Sequence, residues 1–172
     1  MITSEMVKHI QGTLNGLTKG KNTNFGQDLD AGGSAPDGGI LVVLTDGENV
    51  AKLSTNSGSK VLASSTVLGK NDDIFTAGDK TISVINIPYS ETISVVDNGE
   101  ATGFAIVQVA AANLKQENIV GSNENADPRK KYVIDNAKLE GCSVLFSGTI
   151  STTQTIEENN SFSLSNIKIT FN

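Results

Sequence analysis

The run Gly39-Ile40-Leu41-Val42-Val43-Leu44-Thr45-Asp46-Gly47 decides the fold class. Five successive apolar residues, three of them β-branched, read as a strand, and the Asp-Gly that follows is a favoured two-residue hairpin loop because both residues accept positive φ. The pattern therefore predicts a strand over 40–45, a turn at Asp46-Gly47 and a return over 49–54.

The same strand-and-turn rhythm continues downstream. Residues 61–68 make a third apolar run, 80–87 place Ile82 and Val84 on one face, and 92–96 resume after Pro88. The turn Asp97-Asn98-Gly99-Glu100 then leads into 102–110, which is expected to pair with the strand before it as a hairpin. Residues 113–127, with Asn118, Asn123 and Asn125, form a polar excursion closed by Pro128, and 130–135, 142–149 and 161–171 read as three more strands. In the last, Phe162 and Leu164 give way to Ile167, Ile169 and Phe171, so the alternation slips near Ser165 and predicts a bulge there.

Upstream, the period is helical. Met6, Ile10, Leu14 and Leu17 recur at three- and four-residue spacing beside Val7, with Thr3 or Ser4 as cap and Gly16 as stop, which predicts a helix over 3–17. Its apolar stripe packs either on its own sheet or on a neighbouring subunit, which makes Met6 and Ile10 interface candidates. Between helix and first strand, residues 18–39 are polar and Gly-rich, with Phe25 and Leu29 as the only sizeable apolar groups. Such a stretch reads as a linker or as an arm ordered on a partner. The expectation is an all-β protein, a β-sandwich or β-barrel with one packed N-terminal helix, forming a single domain over 1–172 with an arm at 18–39.

A chain of 172 residues can bury a core without disulfides or metals. Its single cysteine, Cys142, suits a reducing compartment. With 37% apolar residues, 5% aromatics and 17 glycines, the composition fits short strands joined by many turns. The net charge of −6 disfavours duplex nucleic acid and anionic membranes as partners. Neither a charged leader nor an 18-residue apolar stretch occurs, so the expectation is a chain made and kept in the cytoplasm.

Chemistry-bearing motifs are sparse. His9 is the only histidine, beside the helix stripe, and no Gly-x-Ser-x-Gly elbow is present. One His and one Cys fall short of a zinc site. Asp28, Asp30 and Gly33 match the first, third and sixth positions of a calcium loop, but Gly39 stands at the twelfth, where a bidentate Glu is needed. Lys21 and Lys70 follow glycines without the rest of a phosphate loop, and no dinucleotide fingerprint occurs. The expectation is therefore no enzyme, no cofactor and no metal.

Charge is distributed unevenly. Residues 71–127 hold nine acids against two lysines, a balance of −7, and Arg129, Lys130 and Lys131 follow together. Opposite patches on one subunit suit head-to-tail association. Asp72, Asp73 and Asp79 are the candidates for an acidic surface, and Arg129, Lys130 and Lys131 for a basic contact.

Three runs toward the end carry a family resemblance: Arg129-Lys-Lys-Tyr-Val-Ile-Asp-Asn-Ala-Lys-Leu-Glu-Gly141, Thr155-Ile-Glu-Glu, and Ser161-Phe-Ser-Leu-Ser-Asn-Ile-Lys-Ile. Together they resemble the end of tail tube proteins of contractile-tailed bacteriophages and related injection systems. The resemblance covers the C-terminal third and implies a β-barrel or sandwich subunit with a packed helix, stacked in rings of six copies around an acidic lumen through which DNA slides. It also implies a virion location and other virion proteins, such as a sheath or shell, as partners, with Asp72, Asp73 and Asp79 facing the lumen and 18–39 reaching a neighbouring ring. Two other classes fit the composition: a β-rich capsid decoration protein, and, less well for a chain whose only tyrosines are Tyr89 and Tyr132, a carbohydrate-binding module.

Overall fold

Every residue of β1 (Gly38–Thr45) is buried. In the computed structural model this strand lies between two antiparallel partners, β2 (Val61–Ser64) and β6 (Gly99–Ala110), the latter in unbroken register from Gly38↔Ala110 to Thr45↔Gly103. The structure describes residues 2–18, 38–65, 67–68, 74–84, 94–118, 130–158 and 167–172, with backbone alone at 116–118, 130 and 131. With β5 (Ser94–Val95) and β9 (Ser143–Ile156) at its edges, the main sheet runs β5-β2-β1-β6-β9.

The unbroken apolar run of β1 follows from its having two covered faces. Leu41 and Val43 enter one cluster with Ala105, Val107 and Val109 of β6, closed over by Val50 and Leu53 of the 46–60 loop. Leu114 of β7 (Leu114–Asn118), Ile134 of β8 (Lys130–Ile134) and Leu139 of a 3-10 helix (Asn136–Gly141) complete it. Ile40 and Val42 point the other way, into a second cluster with Val7 and Leu14 of helix α1 (Ser4–Thr18). Phe75 of β3 (Phe75–Ala77), and Ile82 and Val84 of β4 (Thr81–Val84), fill the rest of that layer. The second sheet runs β10-β4-β3, with β10 at Ile167–Thr170. Each large aliphatic side chain buried in these layers contributes about 2 kcal/mol. The protein is thus mostly β with one N-terminal helix, as the sequence led us to expect, and among the described residues its sheets are open.

Helix α1 begins where expected: the Met6 N–H donates to Thr3 Oγ1 at 3.3 Å, and the Val7 N–H to the Thr3 carbonyl. It runs past Gly16 to Thr18, and of the predicted stripe Val7, Ile10, Leu14 and Leu17 pack on the second cluster. Val7, Leu14, Asn15 and Thr18 face inward, while Met6 is 52% exposed. The inward face also includes polar residues that the apolar stripe does not reveal. Asn15 Oδ1 accepts the N–H groups of Ile74 (3.1 Å) and Phe75 (2.9 Å), its Nδ2 donates to the Phe75 carbonyl (2.9 Å), and Gln11 Nε2 donates to the same carbonyl (3.0 Å). These bonds satisfy backbone groups that would otherwise be buried without partners.

Strand pairing departs from the sequence reading at three places. Asp46-Gly47 does not close a two-residue hairpin. The Asp46 carboxylate instead accepts the N–H groups of Gly58 (3.0 Å) and Lys60 (2.7 Å), closing a loop over 46–60, and β2 rather than 49–54 returns beside β1. Nor does β6 pair with the strand before it. The two-residue β5 joins β2 at the far edge, whereas the twelve-residue β6 has longer ladders with β1 and β9. Within the polar excursion, 114–118 form β7, antiparallel to β8 from Leu114↔Ile134 to Asn118↔Lys130. The bulge expected near Ser165 lies outside the described residues.

Candidate assembly surface

The sequence candidates scatter over the fold. Ile10 packs partly buried against the second cluster of its own chain, and Met6 is exposed on the outer side of α1. His9, also exposed on α1, lends its backbone carbonyl to Thr13 Oγ1 at 3.1 Å. Asp79 is exposed in the turn between β3 and β4, where the Gly78 N–H donates to the Thr81 carbonyl at 2.8 Å. Lys130 and Lys131 stand on β8, in register with Asn118 and Glu117. Phe25, Leu29, Asp72, Asp73, Arg129 and the calcium-like Asp28 and Asp30 lie outside the described residues.

Among the described residues, no three His, Cys, Asp or Glu side chains come together as a metal site, and no helix is long and apolar enough to cross a membrane. Cys142 is half-buried against the first cluster, and burial pushes its thiol up to about 11. At neutral pH it is protonated and a poor nucleophile. A shallow cleft beside Gly99 at the end of β6 and β9 gathers Glu100, Glu157 and Glu158, with Thr155 Oγ1 donating to Glu100 Oε1 at 2.8 Å. A carboxylate engaged by a hydroxyl on a solvated rim is ordinary surface chemistry.

The main sheet shows a more distinctive feature at its β9 edge. This strand reads Ser143-Val-Leu-Phe-Ser-Gly-Thr-Ile-Ser-Thr-Thr-Gln-Thr-Ile156, fourteen residues with no charged side chain and no proline. Its first half is anchored on both faces: Val144 packs on the first cluster, Leu145 and Phe146 on the second, and Phe146 meets Phe171 edge-on at 6.1 Å. Thr149 and residues 151–155 are exposed. Their polar contacts stay within the subunit, with Thr149 Oγ1 donating to Glu48 Oε2 (3.1 Å) and Gln154 Nε2 to the Thr152 carbonyl (3.0 Å).

The ladder with β6 is also incomplete. Ala101 faces Gln154 and Gly103 faces Thr149, so residues 150–153 bulge opposite Thr102 without register partners on β6. At the opposite edge, β5 offers two residues, and the Ser94 hydroxyl there is buried with no hydrogen-bond partner. Soluble proteins ordinarily protect long edges with lysines, prolines or a covering element. Here bulges alone do so among the described residues. This surface was missed because sequence reading looks for residues that are present, whereas its signal is the lack of charge over 143–156.

No protein-family model, characterised protein or solved structure matches this chain.

Proposed function

We propose that this chain is a structural subunit that assembles with copies of itself in a virion, as stacked rings of a tail tube that conducts DNA. The observation that supports self-assembly is the β9 edge: a long strand without charge or proline is suited to accept another strand, because its outward N–H and C=O groups gain partners on pairing. The resemblance of 129–172 contributes the tube. The net charge of −6 fits a wall that polyanions pass without sticking.

Both faces of β1 are covered, so the centre of the main sheet does not line the lumen. The exposed β3–β4 turn carrying Asp79, with Asp72 and Asp73 just before β3, supplies the acidic lining, and sheath or shell proteins contact the outer surface. Negative-stain electron microscopy of the purified protein tests this reading. Rings or tubes are expected; a particle that stays monomeric over a wide concentration range refutes it, and isolated trimers point to a capsid decoration protein instead.

A further inference from the structure

We infer that the strand that pairs with β9 is β9 of a second copy, laid antiparallel about a two-fold axis. The inference rests on the self-assembly reading above and names its contact.

Length supports this pairing first. An antiparallel ladder gains two backbone bonds at every second residue pair matched, so a fourteen-residue edge is best satisfied by an edge of similar length. Among the described residues the other edge strands are short: β5 has two residues, β3 three, β10 four, and β7 and β8 five each. Head-to-tail joining of β9 to β5 would leave most of β9 unmatched, whereas β9 against β9 matches nearly all of it about one self-facing residue. A two-fold contact of this kind uses the same surface on both copies.

Charge then selects the direction. Glu157 and Glu158 directly follow β9, and Glu100 stands beside its last residues on β6. Parallel pairing would set these acids beside the same acids of the second copy, at a cost in like-charge repulsion. Antiparallel pairing sends them to opposite ends. Each acidic end then meets the start of the other β9, which Lys138, paired with Asp135 at 3.4 Å, and the exposed Glu140 precede, so fewer acids face one another than in the parallel arrangement. The lack of charge along 143–156 is what such a pairing requires, since in a two-fold ladder a charge at the centre would face itself.

Bulging does not remove the edge. Residues 150–153 have no register partner on β6, and their neighbours Thr149, Gln154 and Thr155 are exposed too. The stretch most in need of a partner is therefore the most accessible one. Such a contact closes on itself as a pair of subunits, and rings built from these pairs use a further contact elsewhere on the surface.

Cysteine scanning of the full chain tests the inference. In a Cys142→Ser background, single cysteines replace Ser147, Thr149, Ser151 or Thr153, and each protein is mildly oxidised at a concentration where the parent associates. A two-fold ladder predicts disulfide-linked dimers at one position, on the axis, at least tenfold above its neighbours. Association without a preferred self-linking position overturns the two-fold pairing while leaving self-assembly intact. A parent that remains monomeric throughout overturns both. Hydrogen exchange of the unsubstituted protein gives a second readout: residues 149–155 should gain protection on going from dilute to concentrated solution, and unchanged exchange in an associated sample counts against β9 as the contact.

Discussion

β1 and β9 are the two neighbours of β6, and neither carries a charged residue, yet they stand in opposite surroundings. β1 is buried at all eight positions, with a core cluster on each face, so its lack of charge follows from its own fold. In β9, Thr149 and residues 151–155 are exposed, and no burial within the described chain accounts for the absence of Lys, Glu or Pro. The difference teaches that the requirement on β1 comes from within the subunit, whereas on the self-assembly reading proposed above the requirement on β9 comes from outside it.

The largest expected effect is on the β1 side. Leu41→Ala empties a fully buried site in the first cluster and should cost about 2–5 kcal/mol. Urea denaturation checks this, and a loss under about 1 kcal/mol would mean that the two-sided burial of β1 does not carry the stability assigned to it. Asn15→Ala removes the side chain that holds the Ile74 and Phe75 backbone beneath α1 and should cost about 3 kcal/mol, because buried N–H groups lose their acceptor. Faster hydrogen exchange at the Ile74 and Phe75 amides would locate that loss.

Next comes the strand between the two regions. A methyl on Gly103 would overlap the Gly47 carbonyl oxygen and stand 2.9 Å from both the Gly148 carbonyl oxygen and Thr45 Oγ1. Gly103→Ala should therefore cost about 1–3 kcal/mol by overpacking. A neutral result in thermal melting would show that β1 and β9 grip β6 less closely than the structure shows.

The smallest effect concerns a surface ion pair. Lys60 Nζ lies 2.7 Å from Asp97 Oδ2, and this hydrogen bond holds the Asp97 carboxyl below its ordinary 3.8. A carboxyl that titrates lower in the folded chain than in the unfolded one stabilises the fold above the unfolded pKa, and that contribution fades as pH falls through the lower folded value. Lys60→Met should thus lose under about 1 kcal/mol at neutral pH, the pair being largely solvated, with the gap to the parent closing below about pH 4. Urea midpoints across pH 2–7 measure it, and a gap that persists at the acid end would assign the effect to packing of the Lys60 stem.

Much of the fold was legible in local pattern. The α1 boundaries, the β1 run, the Ile82 and Val84 face of β4 and the β8 strand follow from periodicity and end signals, which depend on neighbours in sequence. Pairing was less legible because its determinants are distant. Asp46 looks like a hairpin residue until its carboxylate is seen to bind the Gly58 and Lys60 amides, and β6 chooses β1 over the adjacent β5 because eight paired residues outweigh two. The polar part of the buried face of α1 was missed for a similar reason: Asn15 is polar by type and inward by function, while Val7, Ile10, Leu14 and Leu17 pack inward as their spacing predicts. At the candidate surface, charge and motif pointed to single residues, while the informative quantity was the composition of a whole strand at the sheet edge.

Sedimentation velocity of the parent chain and of a Thr149→Lys/Thr153→Lys variant, over a wide concentration range, tests the central claim most directly. Both substitutions sit at exposed positions and should change stability by no more than about 0.5 kcal/mol. The account predicts a parent whose mass rises in multiples of the subunit, and a variant that stays a single folded chain because lysines on the edge refuse a partner strand. Equal association of the two proteins, or a parent that never exceeds one chain, would contradict it.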